Sequence, residues 1–184
     1  MKIFRSLLFV LIGLAFALPA SAGTGSLFHN IQKQGEITVG VSILAPWVMQ
    51  NKEGKLIGFE IDIANQLAKD LGVKVKFKQY QWNQMIPALK KGEIDIIASG
   101  LSITPKRALE VNFSNPYSSS GYSLVSNLSL TKDFTSIKDL NSDKVYIAAV
   151  EGTVSADLVK KVFPQAKIDL RKDAKDATSA VVNG

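Results

Sequence analysis

The sequence has no cysteine and a single histidine, His29, among its 184 residues. Without cysteine the chain has no thiol nucleophile, no disulfide, and no thiolate ligand for zinc or an iron–sulfur cluster. A lone histidine excludes a metal site built on several imidazoles, and we expect His29 to be an ordinary surface residue. We therefore expect neither a metal nor a cofactor.

Long hydrophobic runs are also absent beyond the first 22 residues. Lys2 and Arg5 precede an apolar stretch over residues 7–18, which is too short to span a bilayer and is typical of a signal peptide. The segment ends in Ala20-Ser21-Ala22, a small-x-small cleavage pattern. We expect residues 1–22 to be a signal peptide cleaved after Ala22; an uncleaved N-terminal membrane anchor is the alternative.

Neither sign of charge dominates, since 22 basic residues stand against 16 acidic ones. Two of the basic residues lie in the expected signal peptide, which leaves 20 in the remaining chain. Lys74, Lys76 and Lys78 alternate with apolar residues, as on the solvated face of a strand, and do not form a basic patch. We therefore expect no nucleic-acid partner.

Strand and helix patterns alternate from residue 36 onward. They predict strands at 36–43, 73–77 and 94–98, a small hairpin within 47–57, and helices at 60–71 and 82–91. The connections are short enough for parallel pairing, so the fold class is α/β with a doubly wound sheet. In such a sheet the ligand crevice lies at the carboxyl ends of the strands.

A Ser-rich segment with both proline and glycine, residues 115–121, interrupts this pattern and is typical of a hinge. We expect a first lobe over 23–118 and a second over 119–184. In the second lobe the patterns predict strands at 122–126, 144–150 and 167–170, and helices at 137–140, 155–163 and 174–182, with Thr153 as an N-cap.

The loop Ser99-Gly100-Leu101-Ser102 follows a predicted strand and precedes Thr104-Pro105, a fitting start for a helix. Such a loop directs backbone N–H groups and the hydroxyls of Ser99 and Ser102 into the crevice, and Gly100 lets a ligand approach the backbone. Arg107 lies just inside the helix, where a guanidinium can hold a carboxylate with two parallel hydrogen bonds. The spacing alone is equally consistent with a solvated helix arginine.

Glu60 and Asp62 are two carboxylates close in sequence, as in a glycosidase pair. Residues two apart on a helix do not face each other. Their place in the first helical turn is explained by the helix dipole, so we do not expect them to be catalytic.

Several segments in order resemble the bacterial extracellular solute-binding proteins of family 3, the polar amino-acid receptors of ABC importers. The segments are GFEIDI at 58–63, MIPAL at 85–89, GEID at 92–95, SITPKR at 102–107 and VEGT at 150–153. The resemblance covers residues 36–184. It implies a periplasmic binding protein-like type II fold with two hinged lobes, a periplasmic location, a free amino acid as ligand and an inner-membrane permease as partner, with a monomeric chain that performs no chemistry.

The resemblance also implies a role for each site residue. Arg107 would grip the ligand α-carboxylate, and the turn that contains Thr153 and Val154 would meet the same carboxylate from the second lobe.

Aromatic residues would cover the ligand side chain. Trp82 aligns with a position whose ring stacks on the ligand, and Trp47 lies in the first-strand loop; core packing is the alternative for both. Leu44 stands where many relatives carry tyrosine, which suggests a more apolar pocket wall.

Similar proteins continue past the position of Gly184 into a strand, an acidic ligand residue and a return to the first lobe. We therefore expect a C-terminally truncated chain with an incomplete second lobe, which binds an amino acid weakly or not at all on its own. One alternative function is an enzyme similar to cyclohexadienyl dehydratase, with Glu151 as the candidate acid or base. Another is the sensor domain of a larger protein.

Overall fold

The computed structural model describes residues 27–184. The expected signal peptide and its cleavage after Ala22 lie outside the described residues. The strands are β1 (Glu36–Val41), β2 (Met49–Gln50), β3 (Leu56–Ile57), β4 (Lys74–Gln79), β5 (Ile96–Ile97), β6 (Tyr146–Val150) and β7 (Lys167–Arg171). The α-helices are α1 (Leu27–Gln34), α2 (Phe59–Leu71), α3 (Met85–Lys90), α4 (Pro105–Ala108), α5 (Leu128–Thr131), α6 (Val154–Val162) and α7 (Ala174–Asn183), and two 3₁₀ helices span Trp82–Gln84 and Ile137–Leu140.

The sheet of the first lobe has the order β4-β1-β5, and both neighbours run parallel to β1. Ile37, Val39 and Val41 on the central strand are 0–2% exposed, because a central parallel strand is covered on both sides. Lys74 and Lys76 are exposed on β4, an edge strand of this sheet. Such lysines discourage pairing with other chains. The predicted solvated face is confirmed for these two, whereas Lys78 is half-buried and donates to the Glu93 carbonyl at 2.8 Å.

Helix α2 covers this sheet with most of the residues that the 3.6-residue period predicts, although Leu67 is 38% exposed. Ile61, Ala64 and Ala68 belong to the same buried cluster as the β1 side chains. The helix ends as expected at Gly72, which has φ 68°, and the Val73 N–H donates to the Ala68 carbonyl at 2.9 Å. The predicted hairpin is confirmed in β2 and β3, which pair antiparallel.

The second lobe has its own small core. β6 and β7 pair in parallel, and Ile147, Val159 and Phe163 form a buried cluster between them and α6. Thr153 is the N-cap of α6, as predicted, since its hydroxyl accepts from the Ala156 N–H at 3.3 Å.

Residues 112–127, here called the crossover segment, join the two lobes without helix or strand. The prediction of a strand at 122–126 was wrong. The stretch contains Tyr122, Leu124 and Val125, which favour a strand, but no strand among residues 27–184 pairs with it, and Val125 is 80% exposed. A strand needs a partner for its backbone hydrogen bonds as well as a pattern.

Helix α1 was not predicted, because its stretch of sequence is mostly polar. One residue of this helix, Ile31, is buried against the first-lobe core. His29 lies on its exposed side, as expected of a surface histidine. Among residues 27–184 the longest helix has 13 residues, and none has the length and apolar character that crossing a membrane requires.

Candidate functional site: the cleft between the lobes

A cleft of about 990 Å³ lies between the lobes. Its walls come from the carboxyl ends of β1 and β5, from α4, from the crossover segment and from the start of α6. Eight of the nine site residues predicted from sequence line it: Leu44, Trp47, Trp82, Gly100, Ser102, Arg107, Thr153 and Val154. The ninth, Ser99, lies beneath the wall. The polar groups therefore converge where a parallel sheet is expected to bind ligands.

Arg107 is a buried cation at the centre of this cleft, only 8% exposed. The short helix α4 holds it in place, since the Thr104 hydroxyl accepts from the Arg107 N–H at 3.2 Å. Its guanidinium donates from Nη1 to the Ser102 carbonyl at 2.8 Å and from Nη2 to the Gly152 carbonyl at 3.0 Å. A solvated helix arginine, the alternative that spacing left open, does not describe this side chain.

The charge of Arg107 has no salt bridge within residues 27–184. Burial lowers the pKa of Arg107, and the charges of Tyr122 and Asp157 offset part of this by raising it. An arginine stays protonated under such conditions, and the guanidinium's hydrogen bonds to Ser102 and Gly152 leave part of its five-donor fork for an anion.

The turn that begins the second-lobe helix faces this guanidinium. The Thr153 hydroxyl donates to the Val150 carbonyl at 2.6 Å and lies 2.7 Å from the Ser155 hydroxyl. The N–H groups of Val154 and Ser155 open α6, where no intrahelical acceptor exists for them. They give the cleft a second set of donors for an anion.

Three hydrogen bonds join the lobes at this turn. The Gly152 carbonyl accepts from the Trp82 indole N–H at 3.2 Å as well as from Arg107. The amide of Asn83 donates to the Glu151 carboxylate at 3.2 Å, a contact that the sequence did not suggest. The guanidinium also lies 5.9 Å from the centre of the Trp82 ring, within cation–π range.

Residues 99–102, here called the ligand loop, do not all direct their polar groups into the cleft, although this was expected. Ser99 is 1% exposed, and its hydroxyl accepts from the Ser42 N–H at 2.9 Å and donates to the Ser42 carbonyl at 3.1 Å. The Gly100 N–H donates to Glu60 Oε1 at 2.8 Å. These two groups hold the loop against the first lobe, and the hydroxyl of Ser102 is the exposed one.

Trp47 and Leu44 form the wall at the end of β1. The Trp47 ring meets Phe59 edge to face at 5.5 Å, so the core-packing alternative holds for part of its surface. Leu44 forms a backbone bridge with Val48 and is half-buried. Both side chains still border the cleft.

Sequence analysis missed the role of Glu60. This carboxylate is 1% exposed and accepts from the Tyr117 hydroxyl at 2.7 Å as well as from Gly100. Asp62 is exposed, which agrees with two carboxylates on different sides of the helix. A signal was available, since Glu60, Ala64 and Ala68 follow the i, i+4, i+8 spacing of one helix face.

The Tyr117 phenol should be the last tyrosine to ionise in alkali. Burial and the bond to Glu60 raise its pKa well above the ordinary value near 10. The folded state then keeps a proton that the unfolded chain loses, so this contribution to stability is complete below about pH 10 and is lost as the pH rises further. Absorbance titration near 295 nm should show a late component that disappears in Tyr117→Phe; an unchanged late component in that variant would contradict the assignment.

The chain is similar in sequence to a known protein family and to several characterised proteins. A sequence model for bacterial extracellular solute-binding proteins, family 3, matches residues 37–183. A glutamine-binding protein of Geobacillus stearothermophilus is 38% identical over 155 residues, which is 80% of this chain and 57% of that protein. The arginine-binding extracellular protein ArtP of Bacillus subtilis is 30% identical over 86% of this chain and 60% of that protein. The chain thus spans somewhat more than half the length of these relatives.

Solved structures give the same result. An ancestral amino acid-binding protein, described as a precursor of cyclohexadienyl dehydratase, superposes with a TM-score of 0.82 at 38% identity, covering 86% of this chain and 70% of that one. A substrate-binding protein of an amino acid ABC transporter from Streptococcus pneumoniae, bound to L-arginine, has a TM-score of 0.80 at 28% identity, covering 86% and 67%. The periplasmic binding protein-like type II fold and the incomplete second lobe expected from sequence are confirmed.

Proposed function

Because the chain belongs to the bacterial extracellular solute-binding proteins of family 3, we propose that it captures a free amino acid between its two lobes and serves an ABC importer. The observation that carries this proposal is the buried guanidinium of Arg107, which reaches across the cleft to the turn that begins α6 and donates there to the Gly152 carbonyl. A cation and a set of backbone donors that converge across a cleft favour a carboxylate as ligand.

Binding couples to closure through that carboxylate. The guanidinium belongs to the first lobe and the turn at 152–155 to the second, so one anion reaches both only when the lobes are together. A ligand that has more contacts in the closed state shifts the population toward it. The Gly152 carbonyl already accepts a hydrogen bond from Arg107. The ligand carboxylate accepts from the remaining N–H groups of the same guanidinium.

The ligand side chain is covered by Trp82, Trp47 and Leu44, with the Ser102 hydroxyl as a polar contact; Ser99 and Gly100 keep the loop in shape. Burial of one large aromatic surface contributes a few kcal/mol, a fair part of the roughly 8 kcal/mol that micromolar affinity needs. The relatives are named for glutamine, cystine, arginine and histidine, which supports a polar amino acid.

The proposed setting follows from the family and the leader. An exported chain, cleaved after Ala22, would work in the periplasm as a monomer and deliver its amino acid to a permease in the inner membrane. It would need no cofactor and no nucleic acid. The boundary between the lobes is proposed at residues 118 and 119, within the crossover segment.

An enzyme is the second candidate, since one structural relative is described as a precursor of cyclohexadienyl dehydratase. Glu151 borders the cleft turn, and its carboxylate accepts from Asn83 at 3.2 Å. We favour binding without chemistry, because this carboxylate is engaged in joining the lobes. Incubation with prephenate or arogenate should give no aromatic product; product formation that Glu151→Gln abolishes would favour the enzyme.

The binding proposal is tested with the twenty standard amino acids and L-cystine, added in turn to ¹⁵N-labelled protein. We expect one or a few polar L-amino acids to shift the indole N–H signal of Trp82 in a saturable way, with no response to the matching D-enantiomer. This readout also detects weak binding. No saturable shift with any amino acid at millimolar concentration would contradict the proposal for this chain.

A further inference from the structure

Glu60 is a buried carboxylate that amino-acid binding, as proposed above, does not use. Its side chain is 1% exposed and has two partners from different parts of the chain. Oε1 accepts from the Gly100 N–H at 2.8 Å, in the ligand loop. Oε2 accepts from the Tyr117 hydroxyl at 2.7 Å, in the crossover segment. Among residues 27–184 no basic side chain forms a salt bridge with it, so these hydrogen bonds stabilise the buried charge.

Glu60 itself is held firmly. Its N–H donates to the Trp47 carbonyl at 3.0 Å, and it lies in the first turn of α2, where the helix dipole favours a negative charge. Ala64 and Ala68, one and two turns later on the same face, are buried in the core. The carboxylate is therefore a fixed point of the first lobe.

Tyr117 attaches the crossover segment to this point. Its ring stacks on Phe59, the residue before Glu60, with 6.3 Å between ring centres and 29° between planes. Burial and the neighbouring carboxylate raise the pKa of the Tyr117 phenol, so it remains a donor at neutral pH. Tyr117 is 53% exposed, and residues 118–121 that follow are exposed as well; among them the Ser120 hydroxyl donates locally to the Gly121 carbonyl at 3.4 Å. The hydroxyl and ring of Tyr117 thus attach the crossover segment to the first lobe.

We propose that Glu60 is a positioning residue that couples the crossover segment to the ligand loop: one carboxylate holds both the Tyr117 hydroxyl and the Gly100 amide. Displacement of Tyr117 as the lobes separate alters the same carboxylate that fixes Gly100. Gly100 is four residues before Thr104, the cap of the helix that carries Arg107, so this coupling transmits lobe movement to the binding groups. The functional meaning of the coupling rests on the proposed capture of an amino acid; the coupling itself does not.

The test uses amide hydrogen exchange of the protein without ligand, read residue by residue by NMR. Tyr117→Phe keeps the ring on Phe59 and removes only the hydroxyl. Tyr117 and Gly100 share no hydrogen bond with each other. If the bond from Tyr117 to Glu60 acted only on its own two residues, its loss would leave the exchange rate of the Gly100 amide unchanged. The coupling predicts that the exchange rate of the Gly100 amide rises about tenfold, since a hydrogen bond to a charged group contributes more free energy than a neutral one. The amides of Val39 and Val41 in β1 should keep their wild-type rates.

Tyr146→Phe is the matched control, because Tyr146 is an exposed residue of the second lobe whose hydroxyl accepts from Lys167. It should leave Gly100 unchanged. Glu60→Gln should speed exchange at Gly100 as well; if that variant does not fold, the tyrosine variants suffice. Unchanged exchange at Gly100 in Tyr117→Phe, or an equal rise at Gly100 and throughout β1, would overturn the proposal.

A second arm separates this proposal from the binding function. The amino-acid panel is repeated on Tyr117→Phe, where we expect weaker binding by a few-fold to about tenfold, in keeping with the loss of one charge-assisted hydrogen bond. If the wild-type chain binds no amino acid, the function fails while the exchange result still decides the coupling. If Tyr117→Phe changes neither exchange at Gly100 nor affinity, the coupling fails while the function stands.

Discussion

Replacing Arg107 by alanine should weaken amino-acid binding by about 100-fold or more. The side chain is 8% exposed and its guanidinium donates to carbonyls in both lobes. Truncation of one partner of a buried, hydrogen-bonded charge pair costs about 2–5 kcal/mol in affinity, and 1.4 kcal/mol corresponds to a factor of ten. The amino acid identified in the panel is titrated into wild-type and variant protein, with the Trp82 indole signal as readout.

Two further variants make this result specific. Lys106→Ala removes a neighbouring exposed cation of the same helix and should leave affinity within a factor of about three, because exposed charges contribute little. Arg107→Lys keeps the charge but loses the planar fork, so we expect affinity between those of the wild type and Arg107→Ala. Equal affinity for the amino acid in Arg107→Ala and Lys106→Ala would show that Arg107 does not bind the ligand.

Replacing Gly58 by alanine should destabilise the fold by about 3 kcal/mol or more. Gly58 has φ 124° and ψ 172° just before α2, a backbone conformation that is essentially restricted to glycine. An added Cβ would lie 2.5 Å from the Trp47 carbonyl oxygen and 2.9 Å from that of Pro46. The substitution therefore pushes the first turn of α2 away from the Trp47 loop and with it the carboxylate of Glu60.

Gly54→Ala is the control for this effect. Gly54 also has a positive φ, 78°, but an added Cβ meets no atom within 4 Å, so only backbone strain of about 1 kcal/mol is expected. Urea unfolding monitored by circular dichroism measures both variants. A loss for Gly58→Ala no greater than that for Gly54→Ala would show that the close approach to Trp47 does not matter.

Elements with a strong hydrophobic period could be predicted from the sequence. β1 and α2 place their apolar residues at periods of two and 3.6, and these residues form one core in the structure. Thr153 and Thr104 are caps because a short hydroxyl at those positions satisfies the first free N–H groups of a helix. Such features depend on neighbours a few residues away, which the sequence itself supplies.

The remaining features depend on partners that are far apart in the chain. Ser99 bonds Ser42, and Glu60 bonds Tyr117, each pair being 57 residues apart. No local pattern indicates these partners. The strand predicted at 122–126 did not form for the related reason that strand-favouring residues cannot supply a neighbouring strand. Eight predicted residues line the cleft because the ends of parallel strands meet at one edge, whereas the hydrogen bonds of the loop join residues too distant in the chain to be predicted.

We propose that the guanidinium of Arg107 and the first amides of α6 together hold one carboxylate between the lobes. A crystal structure of the protein with the amino acid selected by the panel would show where that carboxylate lies. We predict both carboxylate oxygens within hydrogen-bonding distance, about 2.7–3.2 Å, of the Arg107 nitrogens and of at least one N–H among residues 153–155. A ligand carboxylate bound away from Arg107, or in contact with one lobe alone, would contradict the account.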